Sequence, residues 1–238
     1  MAGHSHSANI AVRKNAQDKA RGKLFTKLMR EVYVAVKISG PDPDSNPRLR
    51  AAMAKARANS VPKDNIQRAI KKGSGNLDGK VYEELTMEGY GPGGVAVMAR
   101  CLTDNRNRTA GDVRFAFSKF GGNLGTIGCV GYMFQKKGII EVISDDEDSV
   151  MMVALDAGAE DIEDIEGGFR ILCEPDAFEE CLKSLTENEF SLGLSDIKMV
   201  PNLTTKITPE ELVKFDKMIE RLEDCDDVQQ VDHNLERQ

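Results

Sequence analysis

Apolar residues recur at helical spacing from residue 16 to 39, where Leu24, Leu28, Val32 and Ala35 line one side and Phe25, Met29 and Val36 widen the stripe. Gly40 ends that helix. The turn Pro-Asp-Pro-Asp-Ser-Asn leads to Pro47, a residue preorganised for a first helical turn, and Leu49, Ala52, Met53 and Ala56 form a second apolar face. Pro62 and Gly73 bracket a third helix whose buried side is Ile66, Ala69 and Ile70, and a Gly/Ser/Asn/Asp linker follows to residue 79. The period then changes. From Val81, two strand-like runs flank Gly-Pro-Gly-Gly and predict a hairpin. Thr109 with Asp112 three residues on resembles a capping box, and Val113, Ala116, Phe117 and Phe120 continue as a helix that Gly121 and Gly122 stop. Residues 127–134 form a further strand candidate.

From 137 to 200 the order reads strand, helix, strand, strand, helix, strand. The first helix is marked by Val150, Val153, Ala154 and Ala157, and the second by Phe178, Cys181, Leu182 and Leu185. This is the βαββαβ order of a ferredoxin-like unit. After it come a short strand candidate at 203–207, a capping box Thr208-Pro209-Glu210-Glu211, a helix with Leu212, Phe215, Ile219 and Leu222, and a last strand. The pattern predicts an α+β chain of three domains: a small basic helical domain at 1–79, a discontinuous α+β domain at 80–136 and 202–238, and an acidic ferredoxin-like domain at 137–201 inserted into it.

Charge sharpens the division. Residues 1–80 carry 17 Lys+Arg and 6 Asp+Glu, whereas residues 141–238 carry 8 and 28, under a total of -7. The basic third creates a field that attracts polyanions, and the acidic end favours solubility or a basic partner. No apolar run reaches the ~18 residues of a membrane helix. No apolar segment follows the N-terminus, so a cytoplasmic location is expected; the likeness of residues 10–37 to a mitochondrial presequence yields to their continuation into a regular helical domain. The five cysteines lie far apart without a Cys-x-x-Cys pair and read as reduced core thiols.

Chemistry is scarce. His4, His6 and His233 are the only histidines, so neither a metal site nor nucleophile–histidine catalysis is expected, and no enzyme activity or cofactor is assigned. Gly89–Gly94 lacks the Lys-Ser/Thr of a P-loop and reads as a turn; the glycines at 121–125 read as a helix cap. Carboxylate pairs such as Glu179-Glu180 read as a solvated face. The two central strands of the ferredoxin-like unit hold one aromatic, Phe169, which disfavours an RNA-stacking platform. Asn105-Arg106-Asn107-Arg108-Thr109 admits two readings, guanidiniums placed for phosphate at a helix N-terminus or a turn ordered by Asn and Thr.

These residues carry a resemblance. Met1-Ala2-Gly3-His4-Ser5, Phe25-Thr26-Lys27-Leu28, Asn46-Pro47-Arg48-Leu49-Arg50, Glu88 to Gly94, Asp104 to Thr109 and Gly121-Gly122-Asn123-Leu124-Gly125 are similar to the YebC family of probable transcriptional regulatory proteins, to which a mitochondrial translational activator also belongs. The tail departs from the family in having His6-Ser7 and Ala11-Val12 where a Lys-Trp and a Lys-His are usual. The resemblance implies three domains, one inserted in another, and a cofactor-free role in gene expression at promoter DNA or at the ribosome.

The expected reading is a transcriptional regulator that binds DNA through Arg13, Lys14, Lys19, Arg21, Lys23, Lys27 and Arg30. Arg48, Arg50, Arg57, Arg68, Lys71 and Lys72 assist, and Arg106 and Arg108 are further candidates. Two alternatives stand beside it: a translation factor bound to ribosomal RNA, and a scaffold whose acidic domain holds a basic protein.

Overall fold

The computed structural model describes residues 5–75 and 81–236, with side chains from residue 20 onward. Its packing forms two compact units, Met1–Met87 with Ala99–Leu124 and Lys214–Val231, and Glu88–Met98 with Gly125–Val213 and Asp232–Gln238.

In the first unit three helices stack: α1 (Ser5–Ser39), α2 (Pro47–Ala58) and α3 (Lys63–Ser74). Their shared core is Leu28, Val32, Ala35, Val36, Leu49, Met53, Ala56 and Ile66, so the apolar stripes read from the sequence meet one another, except that Leu24 of the α1 stripe is exposed outside this core. Gly40 leaves α1 with φ +89°. Buried Asn46 then ties the corner: its amide donates to the carbonyls of Ala35 and Gly40 at 2.8 Å each, and its side-chain oxygen caps α2 by accepting from Leu49 N at 3.0 Å. Gly73 does not follow α3 but lies in its last turn, buried where α3 crosses α1, and a Cβ there would come within 2.9 Å of the Tyr33 carbonyl oxygen.

One four-stranded sheet has the order β3-β1-β2-β8, with β1 at Glu83–Tyr90, β2 at Ala96–Thr103, β3 at Asn123–Leu124 and β8 at Val228–His233. Its last strand follows the ferredoxin-like segment in the chain, which makes this α+β part discontinuous. Helix α4 (Arg106–Lys119) is capped by Asn105, whose side chain accepts from Arg108 N at 3.0 Å. Thr109 is therefore a buried residue of the first turns and not a cap. Helix α7 (Pro209–Glu223) opens on the expected box, with Thr208 N donating to the Glu211 carboxylate at 2.9 Å and Glu211 N to the Thr208 hydroxyl at 3.3 Å.

The second unit contains the ferredoxin-like arrangement: β4 (Phe134–Ile143), α5 (Glu147–Asp156), β5 (Ala159–Ile165), β6 (Gly168–Cys173), α6 (Phe178–Glu187) and β7 (Ser191–Pro201). The strand order is β5-β6-β4-β7, and neighbouring strands run antiparallel. Ile140, Val142, Phe169, Ile171 and Cys173 of the sheet pack on Val150, Ala154, Cys181 and Leu185 of the two helices. On the opposite face Arg170 sits between Glu141 and Glu163 at 3.1 and 3.5 Å, so ion pairs stand where an RNA-stacking sheet carries aromatics.

Two strand candidates are not strands. Residues 127–130 form turns and Gly131–Met133 a single 3-10 turn, because the buried Glu88 carboxylate accepts N–H groups from Gly128, Val130 and Gly131 at 2.7–2.9 Å and leaves them no ladder to join. Burial disfavours the charge of Glu88, but these three donors outweigh it and hold the carboxyl below its ordinary range. At 203–207 the pairing is a single bridge, Thr205 to Leu235.

Candidate nucleic-acid interface

The structure sorts the fifteen nominated cations by what already faces them. Arg13, Lys14 and Lys19 lie outside the residues whose side chains are described. On the next turns of α1, Lys23 meets Asp224 at 2.6 Å, Lys27 donates to the Glu223 carbonyl at 2.6 Å, and Arg30 reaches the Asp227 carboxylate at 2.8 Å with the carbonyls of Asp226 and Leu102 at 2.8 and 3.0 Å. Burial pulls Lys27 below the usual lysine range despite the Glu223 charge beside it. These three cations rest on the acidic turn after α7, not in solvent.

Asp227 is the hub of that turn, with a side chain only 5% exposed. Besides Arg30 it accepts from Arg108 at 2.8 Å, from the Thr109 hydroxyl at 2.7 Å and from the Thr103 hydroxyl at 3.2 Å. Burial opposes its charge, yet the hydrogen bonds from Arg108 and Thr109 and the charges of Arg30 and Arg108 keep the carboxyl below its ordinary value. Arg108 also pairs with Asp104 at 2.9 Å, so of the two readings of the 105–109 turn the ordering one describes Asn105, Arg108 and Thr109. A cleft of about 450 Å³ opens here, lined by Arg30, Arg108, Arg221 and Tyr82 together with Asp104, Asp112, Asp224, Asp226 and Asp227. Five carboxylates against three guanidiniums make it a poor seat for phosphate.

Arg48 is held by Glu31 at 2.7 Å and by Glu84, Arg50 donates to the Pro43 carbonyl at 3.0 Å, and Lys72 lies 6.0 Å from the Tyr33 ring centre. The remaining cations are outward-facing. Arg21, Arg57, Arg68, Lys71 and Arg106 are exposed and make no ion pair among the described residues. Arg57 and Lys63 rim a shallow cleft of about 270 Å³ floored by Met53, Val61 and Ile66, where the end of α2 meets the start of α3. From Pro47 to Ser74 the chain holds eight Lys+Arg and one acid, Asp64. Its buried positions are apolar, so the helix period places this charge on the outer surface. Sequence reasoning passed over Lys55 and Lys63, although both stand in the same basic run. It also missed Asp227, whose run of neighbouring acids reads as a solvated face.

Among the described residues no three His, Cys, Asp or Glu side chains gather to hold a metal, and no helix is long and apolar enough to cross a membrane. All five cysteines are free, and burial pushes the Cys101 and Cys173 thiols up to about 12, away from nucleophilic thiolate.

Residues 5–76 match the TACO1/YebC protein N-terminal domain, and residues 82–235 match the TACO1/YebC second and third domain. A probable transcriptional regulatory protein of Bacillus licheniformis is 54% identical over 239 residues, 99% of this chain and 100% of its own. One from Clostridium tetani is 54% identical over 239 residues, covering 99% and 97%. The crystal structure of a conserved hypothetical protein from Aquifex aeolicus matches at a TM-score of 0.81 with 45% identity, over 91% of this chain and 90% of that one. The family resemblance read from the sequence motifs thus holds along the chain, whose relatives are named as regulators of transcription, and the chain belongs to the TACO1/YebC family.

Proposed function

We propose that this chain is a transcriptional regulator that binds duplex DNA through phosphate contacts from α2 and α3, chiefly Arg57, Lys63, Arg68 and Lys71, with Arg21 adding to the field. The observation that carries the reading is that these cations are exposed and make no ion pair among the described residues, the four of α2 and α3 in a run with a single acid, while Lys23 and Arg30 of α1 rest on carboxylates and Lys27 on a backbone carbonyl. Phosphate contacts position a protein on nucleic acid without reading bases, and nothing on these helices presents a base-reading set. The names of the relatives favour DNA as the polyanion.

Anisotropy of labelled duplex DNA, titrated over a salt series, tests this. Four engaged phosphates give a slope of log K against log[salt] of about -4. In R57A/R68A/K71A the slope should shrink by about 3, whereas R48A should leave it unchanged and lower stability instead, since Arg48 is held by Glu31 and Glu84. A slope near zero excludes the proposal. Tighter binding to structured RNA, with comigration of the chain and ribosomes that ribonuclease abolishes, transfers these contacts to a translation factor.

A further inference from the structure

Helix α5 is apolar on both sides. Val150 and Ala154 are buried, and Val153 and Ala157 pack on the same core. The opposite side carries Met151, Met152 and Leu155, exposed by 37%, 66% and 52%. The helical period puts Glu147, Met151 and Leu155 in one row and Asp148, Met152 and Asp156 in the next, so carboxylates bracket the apolar patch along the helix axis. Single exposed apolar residues are ordinary on a protein surface; three adjoining on a ten-residue helix are a contiguous patch. The carboxylates of α5 and the turn before it, Asp145, Asp146, Glu147, Asp148 and Asp156, make its own setting acidic, whereas Glu141, Glu160 and Glu163 of the sheet are paired with Arg170 or Lys137. Between Gly138 and Phe169 the sequence has eleven Asp and Glu and no Lys or Arg.

We infer that this face of α5 docks a basic amphipathic segment of a partner protein, whose aliphatic side chains cover Met151, Met152 and Leu155 while its lysines or arginines meet the flanking carboxylates. Charge complementarity selects the occupant: a nucleic acid or an acidic protein is repelled by the carboxylates that flank the patch on α5, whereas a basic segment is attracted by them. Methionine suits the task, because its unbranched thioether adapts to an apolar partner surface at little cost in shape. The patch shares no residue with the cations of α2 and α3, so the two sites are testable one at a time.

The experiment follows the methionine methyl signals of the full-length chain, labelled with carbon-13, during titration with a synthetic Leu/Lys amphipathic helical peptide. A peptide of equal charge without leucines, and a Leu/Glu peptide, serve as comparisons. The Met151 and Met152 methyls should shift and saturate with the Leu/Lys peptide alone. M152Q/L155Q keeps good helix formers at exposed positions, and it should weaken that peptide about tenfold. D148N/D156N should weaken it mainly at low salt. Duplex DNA should bind M152Q/L155Q as it binds the unaltered chain, so a failure here is distinct from a failure of the DNA reading. Equal binding by the leucine-free peptide, unchanged affinity in M152Q/L155Q, or silent Met151 and Met152 methyls would overturn the inference. Signals that shift with protein concentration in the absence of peptide would overturn it too, by giving the face to a second copy of the chain.

Discussion

At Asp227 four donors from three elements converge on one buried carboxylate: Arg30 from α1, Thr103 from the end of β2, and Arg108 and Thr109 from α4. Asp227→Asn preserves size and part of the hydrogen bonding but removes the charge that answers Arg30, whose side chain is 15% exposed. The expected loss is about 3–5 kcal/mol near neutral pH, the range for breaking a buried pair from one side. The sign of its pH dependence follows from the lowered value: stability from this carboxylate is complete above the ordinary aspartate range and is lost as pH falls through the folded-state value. Urea denaturation over a pH series should show the gap between D227N and the parent chain closing in acid. A constant gap would mean that size or packing, not charge, sets the loss. None of this was legible in the local sequence, where Asp227 ends the run Glu223-Asp224-Cys225-Asp226-Asp227 and looks like its neighbours. Which carboxylate is buried depends on α1, some two hundred positions upstream, and the same blindness made Lys23, Lys27 and Arg30 look like free cations.

Whole elements were far easier to read, because an apolar stripe and a cap are local. The faces of α2, α5 and α6, the Thr208 box and the βαββαβ order all stand where periodicity puts them. Residues 127–133 escaped because their apolar run satisfies a strand pattern while their N–H groups belong to a carboxylate forty residues away. Glycines inside helices make the contrast measurable. Gly73 of α3 and Gly111 of α4 have the same intrinsic helix cost, and alanine at either gains about 0.5–1 kcal/mol in propensity. At Gly111 a Cβ meets nothing within 4 Å, so Gly111→Ala should stabilise by that amount. At Gly73 the Cβ would lie 2.8 Å from Val36 Cβ and 2.9 Å from a backbone oxygen of α1, which has no rotamer to give. Gly73→Ala should therefore destabilise by about 1–3 kcal/mol through separation of α1 and α3. Paired chemical denaturation decides it: two changes of the same sign would show that propensity and not helix contact governs both positions.

For the molecule as a whole, attraction and repulsion toward DNA act over different distances. The chain carries -7 in total, so a distant phosphate meets a net anion, whereas one touching α2 and α3 meets a basic surface. Salt sets which of these is felt, since the screening length is about 10 Å at 0.1 M and about 30 Å at 0.01 M. At 0.1 M and above the acidic residues beyond the contact are screened, and counterion release governs the slope. Toward 0.01 M their repulsion enters, and the gain in affinity from removing salt should level off. A plot of log K against log[salt] is thus expected to be straight near -4 at high salt and to flatten at low salt, unlike that of a uniformly basic binder. E166Q/D176N/E187Q changes three exposed carboxylates, none of them in α2, α3 or α5, and raises the net charge from -7 to -4. It should restore part of the low-salt gain while leaving the high-salt slope alone, because it alters the distant field and none of the phosphate contacts. If the variant instead shifts the whole line in parallel, the acidic residues act at contact range, and the division of labour between a basic binding surface and an acidic remainder fails.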